Sequence, residues 1–270
     1  MILEKTIELI NQKLSKEKEI QPDVSQVVIG VGYTGVEAII DKDPFLGVAN
    51  TLPEALTNKE CSKIDFAGSL TEKSVDELLE WSLKPPSIKK IVGVATINAI
   101  SQYVLQTDDS YTFLEEDFFN YLKIGKKTSV TFIGLIKPMI RRIRDITKNI
   151  TIIEKDLEPS SFFEKFTLVQ NIRKLKKEEI TTDILICTGT ALINGTIEHI
   201  LEVYKEDADF LAIMGPSASI LPDTLFKEGA DLLGGMYFND SAASLKVIQE
   251  GGGTRFFKKY GKKYNVIPNY

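Results

Sequence analysis

The chain has 270 residues, 43% hydrophobic and 26% charged, enough apolar material for a real core in one large or two modest domains. Its 33 Lys and Arg stand against 38 Asp and Glu, a formal net charge of −5, which excludes the basic footprint of a nucleic-acid binder. Two cysteines, Cys61 and Cys187, cannot build a disulfide framework or a CxxC knuckle, and the single histidine, His199, leaves no multi-histidine metal cage.

The opening MILEKTIELINQKL places Ile and Leu at helical spacing between charges. It reads as an amphipathic helix over about residues 3–17 rather than a signal peptide. No apolar run approaches the roughly 20 residues of a membrane helix, so the expectation is a cytoplasmic protein with neither membrane nor nucleic-acid partners. In VSQVVIGVGYTGVEAII, apolar runs flank Gly32-Tyr33-Thr34-Gly35, the grammar of a hairpin, and a third strand includes Leu46, Gly47 and Val48. A helix from about Val75 to Leu83 ends at Pro85-Pro86. Ser87 then caps a long helix, SIKKIVGVATINAISQYVL, rich in small residues (Gly93, Ala95, Ala99) and carrying Asn98. The small residues suit close approach to a neighbour, either the second domain or a second copy of the chain. Asn98 needs hydrogen-bond partners from the protein or from a ligand.

Gln106–Tyr111 is polar and marks the domain junction, giving domains over 1–110 and 111–270. Beyond it, apolar strands at Ser129–Ile133, Thr151–Glu154, Asp183–Cys187, Phe210–Met214 and Asp231–Gly234 alternate with helices. The helices are expected at Pro138–Thr147, within Phe162–Lys177, and at Thr196–Lys205, Pro222–Lys227 and Ser241–Glu250. Continuous apolar strands separated by helices predict α/β architecture: a Rossmann-like, doubly wound parallel sheet covered on both faces. The glycine- and lysine-rich C-terminus either closes over the site or finishes the surface.

In such a sheet the ligand lies past the carboxyl ends of the strands, so each exit loop is a candidate. After the first strand come Gly134, which permits close backbone approach, then Lys137 and Pro138, where a helix N-terminus is expected to offer free N–H groups. Glu154 ends the second strand, where a dinucleotide fold places its ribose-binding acid; the full G-x-G-x-x-G is absent, so no nicotinamide or flavin dinucleotide is named. Thr188-Gly189-Thr190 and Asn194-Gly195-Thr196 supply neutral donors and acceptors, with Thr196 expected to cap the next helix and His199 one turn inside it. Gly215, Pro216 and Ser217 follow the fourth strand, without a G-x-S-x-G elbow. Glu37, Asp41, Glu154, Asp156, Cys187 and His199 are the metal-ligand atoms on offer, and no spacing matches a dedicated site. A metal is therefore expected to arrive on a small chelating molecule.

GVATINAIS (93–101), VTFIGLIKPMI (130–140), DILICTGTALINGTIEHIL (183–201) and IMGPSASILPDTLFKEGADLLGGM (213–236) together resemble the putative heavy-metal chelation domain family of uncharacterised prokaryotic proteins. The resemblance implies an enolase N-terminal-like α+β domain, to which the Tyr33-Thr34 hairpin would belong, followed by a Rossmann-like domain, with a site between them. It implies condensation or hydrolysis of flavin-, pterin- or siderophore-like molecules. Carried over by position, that site involves Asn98, Gly134, Thr188, Gly189, Asn194, Gly195, Thr196, Gly215, Pro216 and Ser217. Strand-end logic adds Glu154 and His199 as proton handlers, and Tyr33, Thr34, Lys137 and Thr190 as ligand contacts. Two rivals stay open: a carrier or sensor for a metal chelate or nucleotide-like ligand, and an S-adenosylmethionine-dependent methyltransferase-like protein.

Overall fold

The structure is a computed structural model, and it describes residues 1–16, 20–56, 65–155, 166–172 and 180–269. Cys61, Asp156 and the basic run 173–177 lie outside the described residues. The amphipathic opening forms α1 (Ile2–Lys16). Three antiparallel strands follow, β1 (Asp23–Ile29), β2 (Tyr33–Ile40) and β3 (Asp43–Asn50), paired in that order. The hairpin turn is Gly30-Val31-Gly32, closed by the Gly30 N–H donating to the Tyr33 carbonyl at 3.0 Å, so Tyr33 and Thr34 open β2 rather than forming the turn.

A short α2 (Pro53–Leu56) and α3 (Val75–Trp81) lead to α4 (Ile88–Thr107), with Ser87 accepting from the Lys90 N–H as its cap. Every α4 residue from Lys90 to Leu105 is buried within this one chain. A helix buried all round must shed side-chain volume where it meets its neighbours, and the glycines show where. A Cβ on Gly47 of β3 would lie 2.0 Å from the Ala95 carbonyl and 2.2 Å from the Ala99 nitrogen; one on Gly93 would lie 2.2 Å from the Ser82 nitrogen. The small residues of α4 thus serve contact with β3 and α3.

The remainder builds an eight-stranded sheet. Its parallel strands are β5 (Val130–Ile133), β6 (Ile150–Ile153), β7 (Thr167–Val169), β8 (Thr182–Thr188), β9 (Ala208–Met214) and β10 (Leu232–Phe238). The antiparallel strands β4 (Thr112–Phe113) and β11 (Gly261–Ile267) extend the β10 edge. The order β4-β11-β10-β9-β8-β5-β6-β7 puts the six parallel strands in the doubly wound order 3-2-1-4-5-6, with the chain reversing direction between β5 and β8. Alternation along β8 shows why its sequence is apolar throughout. Ile184 and Ile186 join a core with α5 (Phe118–Tyr121) and α6 (Lys137–Ile143) on one face. Leu185 and Cys187 join a second core with α8 (Ile197–Tyr204), α4 and α1 on the other.

Four expectations change. The described part of Phe162–Lys177 contains strand β7, not helix, because Thr167, Leu168 and Val169 pair with β6. A helical turn, α7 (Thr190–Asn194), occupies what reads as loop, and Gly195 ends it at φ 73. Thr196 makes no side-chain cap; its hydroxyl donates instead to Asn194 Oδ1 at 2.7 Å. The C-terminal stretch does more than finish the surface: as β11 its second half is built into the sheet between β10 and β4.

Three polar side chains on one face of α4 join the two sheets. Asn98 Nδ2 donates to the Val48 carbonyl at 2.8 Å and to the Pro216 carbonyl at 3.3 Å. Ser101 Oγ accepts from the Leu221 N–H at 3.1 Å. Gln102 donates to the Leu46 carbonyl and accepts from the Phe238 N–H.

Gly47→Ala should cost about 3 kcal/mol in denaturant unfolding, because the methyl meets backbone that cannot rotate away. A loss below about 1 kcal/mol would contradict this packing. Gln102→Leu strands a buried N–H and a buried carbonyl together and should cost about 3 kcal/mol on the same assay.

Candidate functional site

The carboxyl edge of the parallel strands opens into a cleft of about 1410 Å³. Its floor is made of strand exits: Gly134–Ile136 after β5, Glu154 and Lys155 after β6, Gln170–Ile172 after β7, Thr188 and Thr190 after β8, and Gly215 and Pro216 after β9. β10 runs on past Gly234, its last partner level with β9, and its pairing with β11 from Gly234↔Asn265 to Phe238↔Gly261 raises one wall. Lys263, Tyr264 and Asn265 line that wall. The small domain supplies the facing side through Tyr33, Asn50, Leu52, Pro53 and Glu54. At the cleft itself the Asn50 N–H donates to Ser217 Oγ at 2.9 Å, and the exposed Lys155 and Glu54 side chains approach to 3.9 Å.

A further wall comes from α5 and α6. Arg142 makes a two-pronged bond to Asp117 at 2.7 and 2.8 Å, and its guanidinium lies 4.6 Å over the Phe119 ring. The Arg142 guanidinium and backbone N–H donors stabilise the ionised Asp117, whose carboxyl lies below the usual range despite partial desolvation.

Of the residues singled out from sequence, Tyr33, Gly134, Glu154, Thr188, Thr190, Asn194, Gly195, Thr196, His199, Gly215 and Pro216 line the cleft. Thr34, Asn98, Lys137, Gly189 and Ser217 are not among the lining residues, and four of them have clear structural employment. Thr34 shares a hydrogen bond with Thr51 at 3.0 Å, Asn98 joins β3 to Pro216, and Ser217 holds Asn50. Gly189 lets the Ala218 backbone approach, since a Cβ would lie 2.6 Å from its nitrogen. Gly134, at φ 93, gives room to the Thr188 side chain in the same way, 2.5 Å from where its Cβ would be.

The backbone donors of the β5 exit are not free, which corrects the expectation of an open helix N-terminus there. Gly134 N–H donates to the Ile153 carbonyl, Leu135 to Glu154 Oε2 at 3.0 Å, Ile136 to the Gly134 carbonyl and Lys137 to the Leu135 carbonyl. Pro138 has no N–H, and Met139 and Ile140 both donate to the Ile136 carbonyl. The second Glu154 oxygen accepts from the Lys155 N–H at 2.9 Å.

Metal donors are sparse. Among the described residues no group of three or more His, Cys, Asp or Glu side chains is placed to hold an ion. Cys187 does not line the cleft, and burial pushes its thiol up to about 12, so it offers no ready thiolate. Glu37 accepts from Ser25 and Asp41 from Tyr103, both on the small domain. The described side chains do not make a protein-held metal centre.

Sequence reading missed Asn50 to Glu54, the Asp117–Phe119 and Arg142 wall, Gln170–Ile172 and Lys263–Asn265. Only the last carried a signal: alternation in KKYNVI, with Tyr264 and Val266 buried, is strand grammar.

Two family models, both described as "Putative heavy-metal chelation", match residues 12–101 and 117–267. An uncharacterised protein of Methanocaldococcus jannaschii is 25% identical over 270 residues, covering 98% of each chain. The crystal structure of a DUF364-family protein of unknown function from Pyrococcus horikoshii superposes with a TM-score of 0.78 at 21% identity, covering 99% of this chain and 100% of that one. A second, from Desulfitobacterium hafniense, gives 0.71 at 14% identity over 98% and 100%. At these identities the two structures speak to the fold. On the match over 117–267, with the N-terminal model before it, this chain belongs to the DUF364 family.

Proposed function

We propose that the chain binds a small organic molecule in the cleft between the carboxyl edge of its parallel sheet and its small domain. The ligand class that fits is a flavin-, pterin- or siderophore-like compound able to chelate a metal. One observation carries the reading: a single cleft lies where the strand order reverses, and residues of both domains line it. Its walls favour a flat, neutral-to-polar ligand. Gly195 and Gly215 leave open backbone, Phe118, Phe119, Met139 and Met214 give apolar contact, and Thr188, Thr190 and Asn194 supply orienting hydrogen bonds. The metal of the family description then travels on the ligand, whose own donor atoms complete its coordination.

If bond-making or hydrolysis takes place on that ligand, Glu154 and His199 are the proton-handling groups we assign, since both line the cleft. A carrier without chemistry is the second reading. It is favoured by Cys187, the cysteine among the described residues, whose thiol is buried away from the cleft and offers the ligand no thiolate.

Riboflavin, neopterin and a ferric catecholate are direct probes. At least one should bind the wild-type chain with a Kd below about 100 µM. Asn194→Trp places a large ring in the cleft from an exposed position, and should weaken that binding at least tenfold with little change in Tm. Failure of all three probes to bind, or equal binding to the variant, would overturn the proposal.

A further inference from the structure

We infer that the cleft selects a heterocycle carrying a hydroxylated, phosphate-free side arm, with the hydroxyls donating to Glu154. The inference rests on the cleft being the ligand site and adds the chemistry that site recognises.

The β5 exit carries the first half of the argument. In doubly wound folds that bind dinucleotides, this loop cradles a diphosphate on unpaired backbone N–H groups. Here every N–H from Gly134 to Ile140 is already donated: to Ile153, to Glu154, and to carbonyls of the loop itself. A phosphate would find no backbone donor there, and it would sit beside the Glu154 carboxylate, a like charge. The strand order is shared with doubly wound dinucleotide-binding folds, whereas the backbone donors of this loop are spent.

Glu154 carries the second half. It ends β6, lines the cleft, and is fixed from two sides, Oε2 by the Leu135 N–H at 3.0 Å and Oε1 by the Lys155 N–H at 2.9 Å. An ionised carboxylate accepts about four hydrogen bonds and donates none, so each oxygen keeps capacity after its backbone bond. The neighbouring Lys155 ammonium is exposed and lies 3.9 Å from Glu54. Pairs of hydroxyls on adjacent carbons are neutral donors, and they occur on the ribose of a nucleoside, the ribityl arm of a flavin and the polyol arm of a pterin. Gln170, past the end of β7, adds an amide beside the same end of the cleft, suited to the edge of the attached ring.

The test is isothermal titration with matched compounds. Riboflavin is compared with lumichrome, which lacks the ribityl arm, and with FMN, which adds a phosphate. Adenosine is compared with 2′,3′-dideoxyadenosine and AMP, and neopterin with pterin and neopterin monophosphate. In at least one set the hydroxylated, phosphate-free member should bind about tenfold tighter than both of its partners. The set that responds identifies the source of the side arm. In Glu154→Gln, which keeps an oxygen for the Leu135 N–H and leaves the exposed Lys155 N–H to water, that preference should fall to within about threefold, with only a small change in Tm. Equal binding within every set, or a preference that survives in Glu154→Gln, would overturn the inference while leaving the cleft as the ligand site. Absence of binding by every compound would overturn both.

Discussion

One face of α4 holds the molecule together. Asn98, Ser101 and Gln102 sit at i, i+3 and i+4, so a single stripe of the helix, within its buried span from Lys90 to Leu105, presents three polar groups. Their partners are the backbones of Leu46 and Val48 in the small sheet and of Pro216, Leu221 and Phe238 in the large domain. Buried backbone groups at strand and loop ends are costly unless paired, so these bonds fix both sheets against one rod. Asn98 reaches the loop that begins the β9 exit, and its Oδ1 has no partner among the described residues, which leaves a buried acceptor next to the cleft's Pro216.

The cleft follows from that arrangement. With β3 pressed on α4 through Gly47, the end of β3 and the residues after it, Asn50 to Glu54, are carried over the carboxyl edge of the large sheet. A shared apolar cluster completes the docking, with Leu46 and Val48 packed among Met236, Phe238, Leu245 and Ile248. The site is thus a product of domain placement as much as of the sheet's own topology.

That division explains what could be read from the chain. The parallel strands were visible because burial on both faces makes them continuously apolar, as in Ile184 to Cys187, and their exit loops were visible through glycine, proline and hydroxyl residues. β11 is legible only in its second half, where buried Tyr264 and Val266 alternate; Lys262 and Lys263, both exposed, break the pattern before them. α7 was obscured because Thr188-Gly189-Thr190 and Asn194-Gly195 read as turn, while Ala191, Leu192 and Ile193 between them are buried as a helical turn. Asn50 to Glu54 carry no local mark of a site, since only the tertiary contact with the large domain puts them there. The spent N–H groups of the β5 exit were equally invisible, since they depend on the tight hydrogen bonds that Leu135 to Lys137 adopt.

We propose that this chain recognises an organic molecule, with any metal held on that molecule rather than by the protein. Native mass spectrometry, with elemental analysis of the same sample, tests it after separate incubation with bare Zn²⁺, Ni²⁺ and Fe²⁺ and with a ferric catecholate. The account predicts no stoichiometric adduct from the bare ions after buffer exchange, and a one-to-one adduct carrying the chelator's mass. A retained bare ion at one per chain, with no organic mass, would contradict it.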